Sequence, residues 1–212
     1  MSRAAAQPGR APRRMSPERR REHLIAAALE LYGRLAPEQV TIDDVARAAD
    51  VSRALFYRYF RGVEELHVAA LSAVVEELTT RISMPPGESP ADQLRGALEE
   101  FFAVVERHSA AYVALLRTGS VITTGETAAL VDGVRNHIVG LLVERSGVPA
   151  TTPLFLMTLR GWVALVEGTS LRWLQEPSIP RDELITWLAD QLAAMLTVTA
   201  SRDASAHLLT LT

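Results

Sequence analysis

The chain contains no cysteine and no lysine, so all 22 of its basic residues are arginine. Without cysteine it forms neither disulfides nor thiolate metal sites, and it has no cysteine nucleophile. Aromatic residues make up only 6% of the 212 residues. No apolar run approaches the roughly 18 residues that a membrane span needs. These absences exclude a disulfide-stapled secreted fold and a thiol-dependent enzyme, and they predict a cytoplasmic protein that does not associate with membranes.

Charge is distributed unevenly along the chain, although the formal net charge is only −3. Residues 1–62 hold 12 Arg and 7 acidic residues, a balance of +5, and the remaining residues hold 10 Arg and 18 acidic residues, a balance of −8. A basic N-terminal part on an acidic body orients a protein so that one end meets a polyanion such as DNA.

The first 15 residues form a basic arm without the continuous apolar segment of a signal peptide. Arg3, Arg10, Arg13 and Arg14 lie in this arm. We expect the arm to be disordered. It is either a solvated tail or a segment that adds phosphate or minor-groove contacts.

Apolar residues recur at helical spacing, and neither an internal repeat nor a useful strand-like alternation is found, so the fold class is predicted to be all-α. Ser16 followed by Pro17 is a strong helix start. Later helices are predicted at 64–82, 91–108, around 112–116, 126–145, 153–175 and 180–196. The expected organisation is a disordered arm (1–15), a helix-turn-helix domain (16–62), a larger helical domain (63–200) and a mobile tail (201–212).

Residues 41–60 carry the clearest local pattern, that of a helix-turn-helix. Thr41 is positioned to cap a helix, and Asp44 completes a variant of the capping box. Asp50 and Val51 form a tight corner, and Ser52 is placed to cap a second, short helix.

The second helix of this motif predicts an inward face and an outward face. Phe56 and Phe60 point inward, and Val51 forms a hydrophobic staple with Phe56. The outward residues are Arg53, Ala54, Tyr57, Arg58 and Tyr59. Each of them alone is explained by surface solvation or packing, but arginine and tyrosine crowded on one exposed helix suit base edges and phosphates. The motif therefore favours DNA binding.

The stretch from Arg20 to about Leu71 resembles the tetracycline-repressor (TetR) family of bacterial transcriptional regulators. The matching positions are Ala27, Ala28, Leu31, Tyr32, Thr41, Ile42, Val45, Ala46, Val51, Ser52, Phe56, Tyr57, Tyr59, Phe60, Glu65 and Leu66. The sequence departs from the family pattern at Asp50, where a glycine is usual, and at Val63, where a phosphate-contacting lysine is usual. Arg61 is the candidate substitute for that lysine.

The resemblance implies a homodimer, formed through the helices at 153–175 and 180–196, that represses transcription until a small molecule binds its larger domain. Arg53, Ala54 and Tyr57 are then expected to face bases, with Arg58 as a further candidate. Thr41, Ser52 and Tyr59 are expected to face phosphates. The DNA site would be palindromic double-stranded DNA.

Candidate ligand-binding residues are the aromatic side chains of the larger domain: Phe101, Phe102, Tyr112, Phe155 and Trp162. A helical core uses the same residues, so core packing is the alternative for each of them. The resemblance implies that some of them line an effector pocket formed by helices four to eight. Tyr112 and Trp162 are preferred because each carries a polar group. An apolar lining suits a largely apolar effector.

No catalytic, metal or cofactor site is predicted. The five histidines lack the spacing that places metal ligands on one helix face, and neither a nucleophile elbow nor a Walker loop is present. Two alternatives remain open. One is a regulator of the same fold that answers to a protein partner instead of a small molecule, or that activates transcription instead of repressing it. The other is a helical small-molecule carrier or enzyme whose N-terminal module no longer binds DNA.

Overall fold

The computed structural model describes residues 15–82, 89–116, 125–148 and 151–202, and these residues are helical with short connections. The helices are α1 (Pro17–Tyr32), α2 (Ile42–Ala48), α3 (Arg53–Phe56), α4 (Val63–Arg81), α5 (Pro90–Arg107), α6 (Ser109–Leu116), α7 (Gly125–Ser146), α8 (Pro153–Gln175) and α9 (Arg181–Arg202), with a 3-10 turn (Pro37–Gln39) between α1 and α2. The all-α prediction is confirmed. Residues 1–14 of the arm and 203–212 of the tail lie outside the described residues.

Side-chain caps fix where several helices begin. Ser16 accepts a hydrogen bond from the backbone N–H of Arg19 at 3.3 Å, and Pro17 occupies the first helical position. Ser89 and Thr152 cap α5 and α8 in the same way. A capping oxygen satisfies an N–H that has no partner inside the helix, and a proline there has no N–H to satisfy. The predicted start at Ser16 is therefore confirmed.

The last helix is longer than the sequence predicts, because α9 ends at Arg202 and not near residue 196. Its additional turns contain Val198 and Thr199, β-branched residues of low helix propensity. Thr199 is buried, and its hydroxyl lies 2.6 Å from that of Thr158 on α8. Tertiary packing of this kind overrides local propensity. Residues 201 and 202, the first two of the expected tail, therefore belong to α9.

A first core joins the helix-turn-helix to the rest of the chain. It is built from α1, α2 and α3 around residues such as Leu24, Val45 and Phe56. Leu66, Ala70 and Leu71 from the first half of α4 complete it, together with two alanines of α6. The boundary expected between residues 62 and 63 therefore cuts through a packed core.

A second core fills the larger helical domain. Its buried residues come from the C-terminal part of α4 and from α5, α7, α8 and α9. Helices α8 and α9 are antiparallel, and the indole N–H of Trp162 on α8 donates a hydrogen bond to the carbonyl oxygen of Leu188 on α9 at 2.8 Å. This bond fixes the register of the two helices over the core.

Candidate nucleic-acid interface and internal cavity

Local hydrogen bonds fix the beginning of α2, the first helix of the helix-turn-helix. Thr41 and Asp44 form a reciprocal capping box: the Thr41 side chain accepts from the Asp44 N–H at 3.2 Å, and the Asp44 carboxylate accepts from the Thr41 N–H at 3.1 Å. Hydrogen bonds from Thr41, followed by the charge of Arg47, lower the pKa of Asp44 below its usual value. The carboxylate therefore stays ionised, and the beginning of α2 is fixed.

Asp50 has a φ of 49°, the one positive value among the described residues other than glycine. Aspartate tolerates this left-handed conformation better than most residues, which explains how it replaces the glycine of the family pattern. Two residues later Ser52 accepts a hydrogen bond from the Leu55 N–H at 3.2 Å and caps α3. The predicted tight corner at Asp50 and the predicted helix cap at Ser52 are therefore confirmed.

Helix α3 presents its polar residues to solvent. Ser52, Arg53, Ala54, Tyr57 and Arg58 are exposed, whereas Phe56 and Phe60 are fully buried. Tyr57 leaves 48% of its surface in solvent, an unusual position for a large aromatic side chain. This face is available to a partner.

Tyr59 differs from the outward orientation that the sequence predicts. It is half-buried and packs against the first core. Residues 57–59 follow α3 as a turn, so the angular spacing of a continuous helix does not apply to them. Only part of the Tyr59 ring therefore faces solvent.

Arg53 is oriented by two neighbours on the exposed face. One of its guanidinium nitrogens donates to both carboxylate oxygens of Asp43, at 3.1 and 3.0 Å, and the guanidinium carbon lies 5.9 Å from the centre of the Tyr57 ring. An ion pair this exposed contributes little to stability. Its main effect is to restrict the rotamers of Arg53, which connects α2 to α3.

Arg61 lies at the N-terminal end of α4 beside the half-buried Val63. Its backbone N–H and its Nε both donate to one Glu65 oxygen, at 2.9 and 3.1 Å. The Arg61 side chain is 95% exposed. Thr41 is also exposed. Arg61 is thus positioned to reach outward from the end of the helix that usually carries the family's lysine.

A cavity of about 80 Å³ lies between the helices of the larger domain. It is lined by Val74, Val75, Leu78 and Ile82 of α4 and its C-cap, Leu94, Ala97, Leu98 and Phe101 of α5, Tyr112, Leu115 and Leu116 of α6, Val131, Val134, Ile138 and Leu142 of α7, and Trp162, Val163, Val166 and Glu167 of α8. The lining is almost entirely apolar.

Three of the five aromatic residues predicted as ligand contacts line this cavity: Phe101, Tyr112 and Trp162. Phe102 and Phe155 do not; they are 0% and 1% exposed and belong to the packed core. Adjacent residues on α5 necessarily point in different directions, which separates Phe101 from Phe102. Core packing, the alternative considered for each aromatic residue, applies to these two.

Polar groups gather at one wall of the cavity. The Tyr112 hydroxyl lies 2.8 Å from the Ser170 hydroxyl, and burial raises the pKa of Tyr112 above its usual value, so the phenol stays protonated. Glu167 accepts three hydrogen bonds from Arg135, at 2.8 to 3.1 Å. The sequence did not single out Glu167 or Arg135, because they lie 32 positions apart on different helices and no motif connects them.

Helices α4 and α6 connect the cavity to the helix-turn-helix. In α6, Ala111 and Ala114 are 1% and 5% exposed and belong to the first core, whereas Tyr112 and Leu116 line the cavity. In α4, the first turns belong to the first core and Leu78 lines the cavity. Both helices therefore contact the first core and the cavity at the same time.

Two family models match the chain. The model described as "Bacterial regulatory proteins, tetR family" matches residues 24–70, and the model described as "Tetracyclin repressor-like, C-terminal domain" matches residues 90–195, half of the chain. The chain belongs to the TetR family. It is therefore a DNA-binding transcriptional regulator, and regulators of this family are typically repressors.

Several proteins similar to this TetR-family regulator are also described as transcriptional regulators or repressors. A crystal structure of a tetR-family transcriptional regulator from Streptomyces coelicolor is 35% identical, with a TM-score of 0.86 over 91% of this chain and 87% of that one. The HTH-type transcriptional regulator TcmR of Streptomyces glaucescens is 34% identical over 60% of this chain and 49% of TcmR. The HTH-type transcriptional repressor KstR of Rhodococcus jostii is 30% identical over 63% of this chain and 60% of KstR. The chain thus spans about half to three fifths of these two curated relatives.

Helices α8 and α9 of the regulator are apolar enough to span a membrane by length and composition alone, since 18-residue windows in both reach a mean hydropathy of 1.2. Core helices of soluble proteins have the same composition, and both helices contribute to the second core. Members of the TetR family are soluble cytoplasmic DNA-binding proteins and not enzymes. Packing in the second core accounts for part of the apolar character of α8 and α9, since 33% of each window is buried.

Proposed function

We propose that this regulator represses transcription as a homodimer on a palindromic operator and is released when a small, largely apolar effector enters the internal cavity. The observation that carries the proposal is the double role of α4 and α6, which line the cavity and also belong to the core beneath the DNA-facing helix. A ligand that displaces either helix changes the position of α3. Regulation in the cytoplasm without catalysis or a cofactor is the role that we assign.

The proposed DNA contacts are exposed residues of the helix-turn-helix, together with Tyr59, which is half-buried and presents only part of its ring. Arg53, Ala54 and Tyr57 face bases in the major groove, with Arg58 beside them. The remaining contacts, to phosphates, come from Thr41, Ser52, Tyr59 and Arg61. Arginine recognises guanine by paired hydrogen bonds, whereas hydroxyl groups and helix ends fix the register on the backbone. The rotamer restriction that Asp43 imposes on Arg53 supports the base-reading role, because a restricted side chain loses less entropy on binding.

The proposed homodimer forms through α8 and α9. Both helices expose apolar and small residues at helical spacing: Leu154, Met157, Gly161, Ala164 and Gly168 on α8, and Trp187, Ala194 and Val198 on α9. Met157 is 69% and Val198 is 60% exposed, values that are unfavourable in a monomer. A Cβ added at Gly168 meets no atom within 4 Å, so packing within the chain does not explain this glycine. A second copy approaching this face does.

The size of the cavity links effector binding to a change of shape. Sites for drug-sized ligands usually measure about 300–1,000 Å³. The cavity here measures about 80 Å³. A ligand of ordinary size must therefore push the lining helices apart. The effector releases DNA only if it binds the expanded form more tightly than the form that fits the operator.

Selection of bound DNA from a randomised duplex pool, at about 150 mM salt, tests the proposal. Enrichment of a palindrome with half-sites about 34–36 Å apart is the expected result. The enriched duplex then serves to screen apolar compounds for release. Recovery of no sequence would reject DNA-controlled regulation and favour a helical small-molecule carrier. Specific binding that no compound releases would favour control by a protein partner.

A further inference from the structure

One side of the cavity, next to Tyr112 and Ser170, contains a charged side chain, Glu167, which the binding of a purely apolar ligand would not require. Glu167 carries the one charge among the lining residues that the structure describes, and its side chain is only 20% exposed. Removing a carboxylate from water is costly unless it is paired. Arg135 provides the pairing through its Nε and one terminal nitrogen, and its other terminal nitrogen donates to Asp132 at 3.0 Å. The guanidinium is thus engaged on both edges.

Among residues 89–116, 125–148 and 151–202, the hydrogen-bond donors at this wall already have acceptors. The Ser170 hydroxyl donates its proton to the backbone oxygen of Glu167 at 3.0 Å, so it must accept the bond that it shares with Tyr112. The Tyr112 O–H is therefore a donor to Ser170 and keeps free lone pairs on its oxygen. The indole N–H of Trp162 is bonded to Leu188. What these described side chains offer a ligand is acceptor capacity, on the Glu167 carboxylate and the Tyr112 oxygen.

The net charge of the ionised side chains at this wall is negative, which also favours a ligand that donates hydrogen bonds. Glu167 and Asp132 together carry two negative charges against the single positive charge of Arg135. Asp132 is 68% exposed and largely hydrated, whereas Glu167 is one of the lining residues of the cavity and only 20% exposed. Because the lining is almost entirely apolar, a ligand reaches the Glu167 carboxylate only when the lining helices move apart, as the proposed entry of the effector requires. An anionic ligand group would meet the negative Glu167 carboxylate, and the described side chains at this wall offer it no free donor. An ammonium or hydroxyl group meets an acceptor in a poorly hydrated place, where charge-assisted hydrogen bonds are strong.

We infer that the effector is an apolar molecule that carries a hydrogen-bond donor, an ammonium or a hydroxyl group, which binds the Glu167 carboxylate and the Tyr112 oxygen. The inference rests on the proposed function, because it specifies which chemical class enters the cavity of the proposed sensor. Anionic amphiphiles such as carboxylates are disfavoured. The apolar lining accommodates the rest of the molecule and gives it little directional specificity.

The test uses two matched series of small molecules, one built on a naphthylmethyl group and one on an n-decyl group. Each series ends in methyl, hydroxyl, ammonium or carboxylate, so only the end group varies. Dissociation constants are measured on the full chain by tryptophan fluorescence, without DNA. The expected order of affinity is ammonium, then hydroxyl, then methyl, with carboxylate weakest, and ammonium about tenfold tighter than methyl.

Three variants separate recognition from folding. Glu167→Gln introduces a donor and removes the charge, so ammonium binding should weaken about tenfold and carboxylate binding should improve, with methyl unchanged. Tyr112→Phe should weaken hydroxyl and ammonium binding and leave methyl binding unaltered. Asp132→Asn is the matched control: it removes one charge from the same guanidinium outside the cavity, and it should preserve the order.

The inference is overturned if carboxylates bind as tightly as ammonium compounds, if Glu167→Gln leaves the order unchanged, or if neither series binds. Operator binding is measured separately with the same preparations. Failure to select any operator rejects the proposed function, whatever the order of end groups. Tight ammonium binding that does not release a selected operator upholds the ligand class and rejects effector control.

Discussion

At the scale of single residues, Arg53 gives the sharpest prediction for DNA recognition. Arg53→Ala should cost about 1–3 kcal/mol on the selected operator and relax preference at one base pair, because a base-reading contact is lost. Tyr59→Phe is the comparison, since a lost phosphate contact should weaken all sequences more evenly. Quantitative binding to the operator and to its single-base variants distinguishes the two. A change confined to one base position in Tyr59→Phe would reverse the assignment.

His67 predicts a pH dependence of stability. It is 6% exposed on α4, its ring lies 5.7 Å from that of Tyr32, and burial lowers its pKa despite the nearby carboxylates of Glu64 and Glu38. The unfolded chain binds a proton at His67 below about pH 6.5, whereas the folded chain does so only at lower pH. Stability should therefore fall as the pH drops through this window.

Urea unfolding between about pH 7.5 and about pH 5.5 measures this effect. His67→Phe keeps an aromatic ring beside Tyr32 and should reduce the loss of stability on acidification. His137→Phe is the control, because His137 is exposed on α7. The lowered pKa values of Asp44 and Glu65 act at more acidic pH, so they do not account for a change near neutrality. An identical pH profile in His67→Phe and the unmodified chain would exclude His67 as the cause.

At the scale of helices, the cavity makes the link through α4 and α6 testable without a ligand. Val131→Trp adds volume to the cavity from α7, and we expect operator affinity to fall about tenfold because the added ring displaces the helices opposite. Ala129→Trp, two residues earlier on an exposed position, is the control. Melting temperatures show whether each variant is folded. Unchanged operator affinity in a folded Val131→Trp protein would mean that cavity volume is not coupled to α3.

Local chemistry explains which elements the sequence predicts. The Thr41–Asp44 capping box and the Asp50 corner depend on neighbours within a few residues, so their types and spacing suffice. The last turns of α9 pack against α8 where the hydroxyls of Thr158 and Thr199 meet, 41 positions apart in the chain, and no local pattern reveals this contact. The lining of the cavity is likewise not predictable from local sequence. Phe101 and Phe102 are adjacent residues of the same type, and only tertiary packing places Phe101 in the lining.

At the scale of the whole molecule, a substitution at Gly168 should affect the stability of the single chain and the affinity of the dimer in opposite directions. Gly168→Leu places a side chain where the single chain has open space, and replacing an exposed helical glycine should stabilise the monomer by up to about 1 kcal/mol. The same side chain should keep a second copy away, so dimerisation and operator binding should weaken. Gly140→Leu, at an exposed and equally open position on α7, is the matched control.

Light scattering over a dilution series gives the dimer dissociation constant of both glycine variants, and thermal unfolding gives their stability. The opposite signs expected for Gly168→Leu, a more stable chain and a weaker dimer, are not produced by general damage to the fold. Equal dimer affinity in the two variants would move the proposed interface away from the centre of α8.

The two alanines of α6 that lie in the DNA-proximal core have a consequence for building chimeric regulators. A DNA-reading module cut from this chain near residue 62 would leave Leu66, Ala70, Ala111 and Ala114 behind, and part of its core would be exposed to water. A graft onto a foreign sensor must therefore carry the first half of α4 and receive a sixth helix with small side chains at the two alanine positions. The helix-turn-helix and the larger helical domain therefore cannot be exchanged independently of each other.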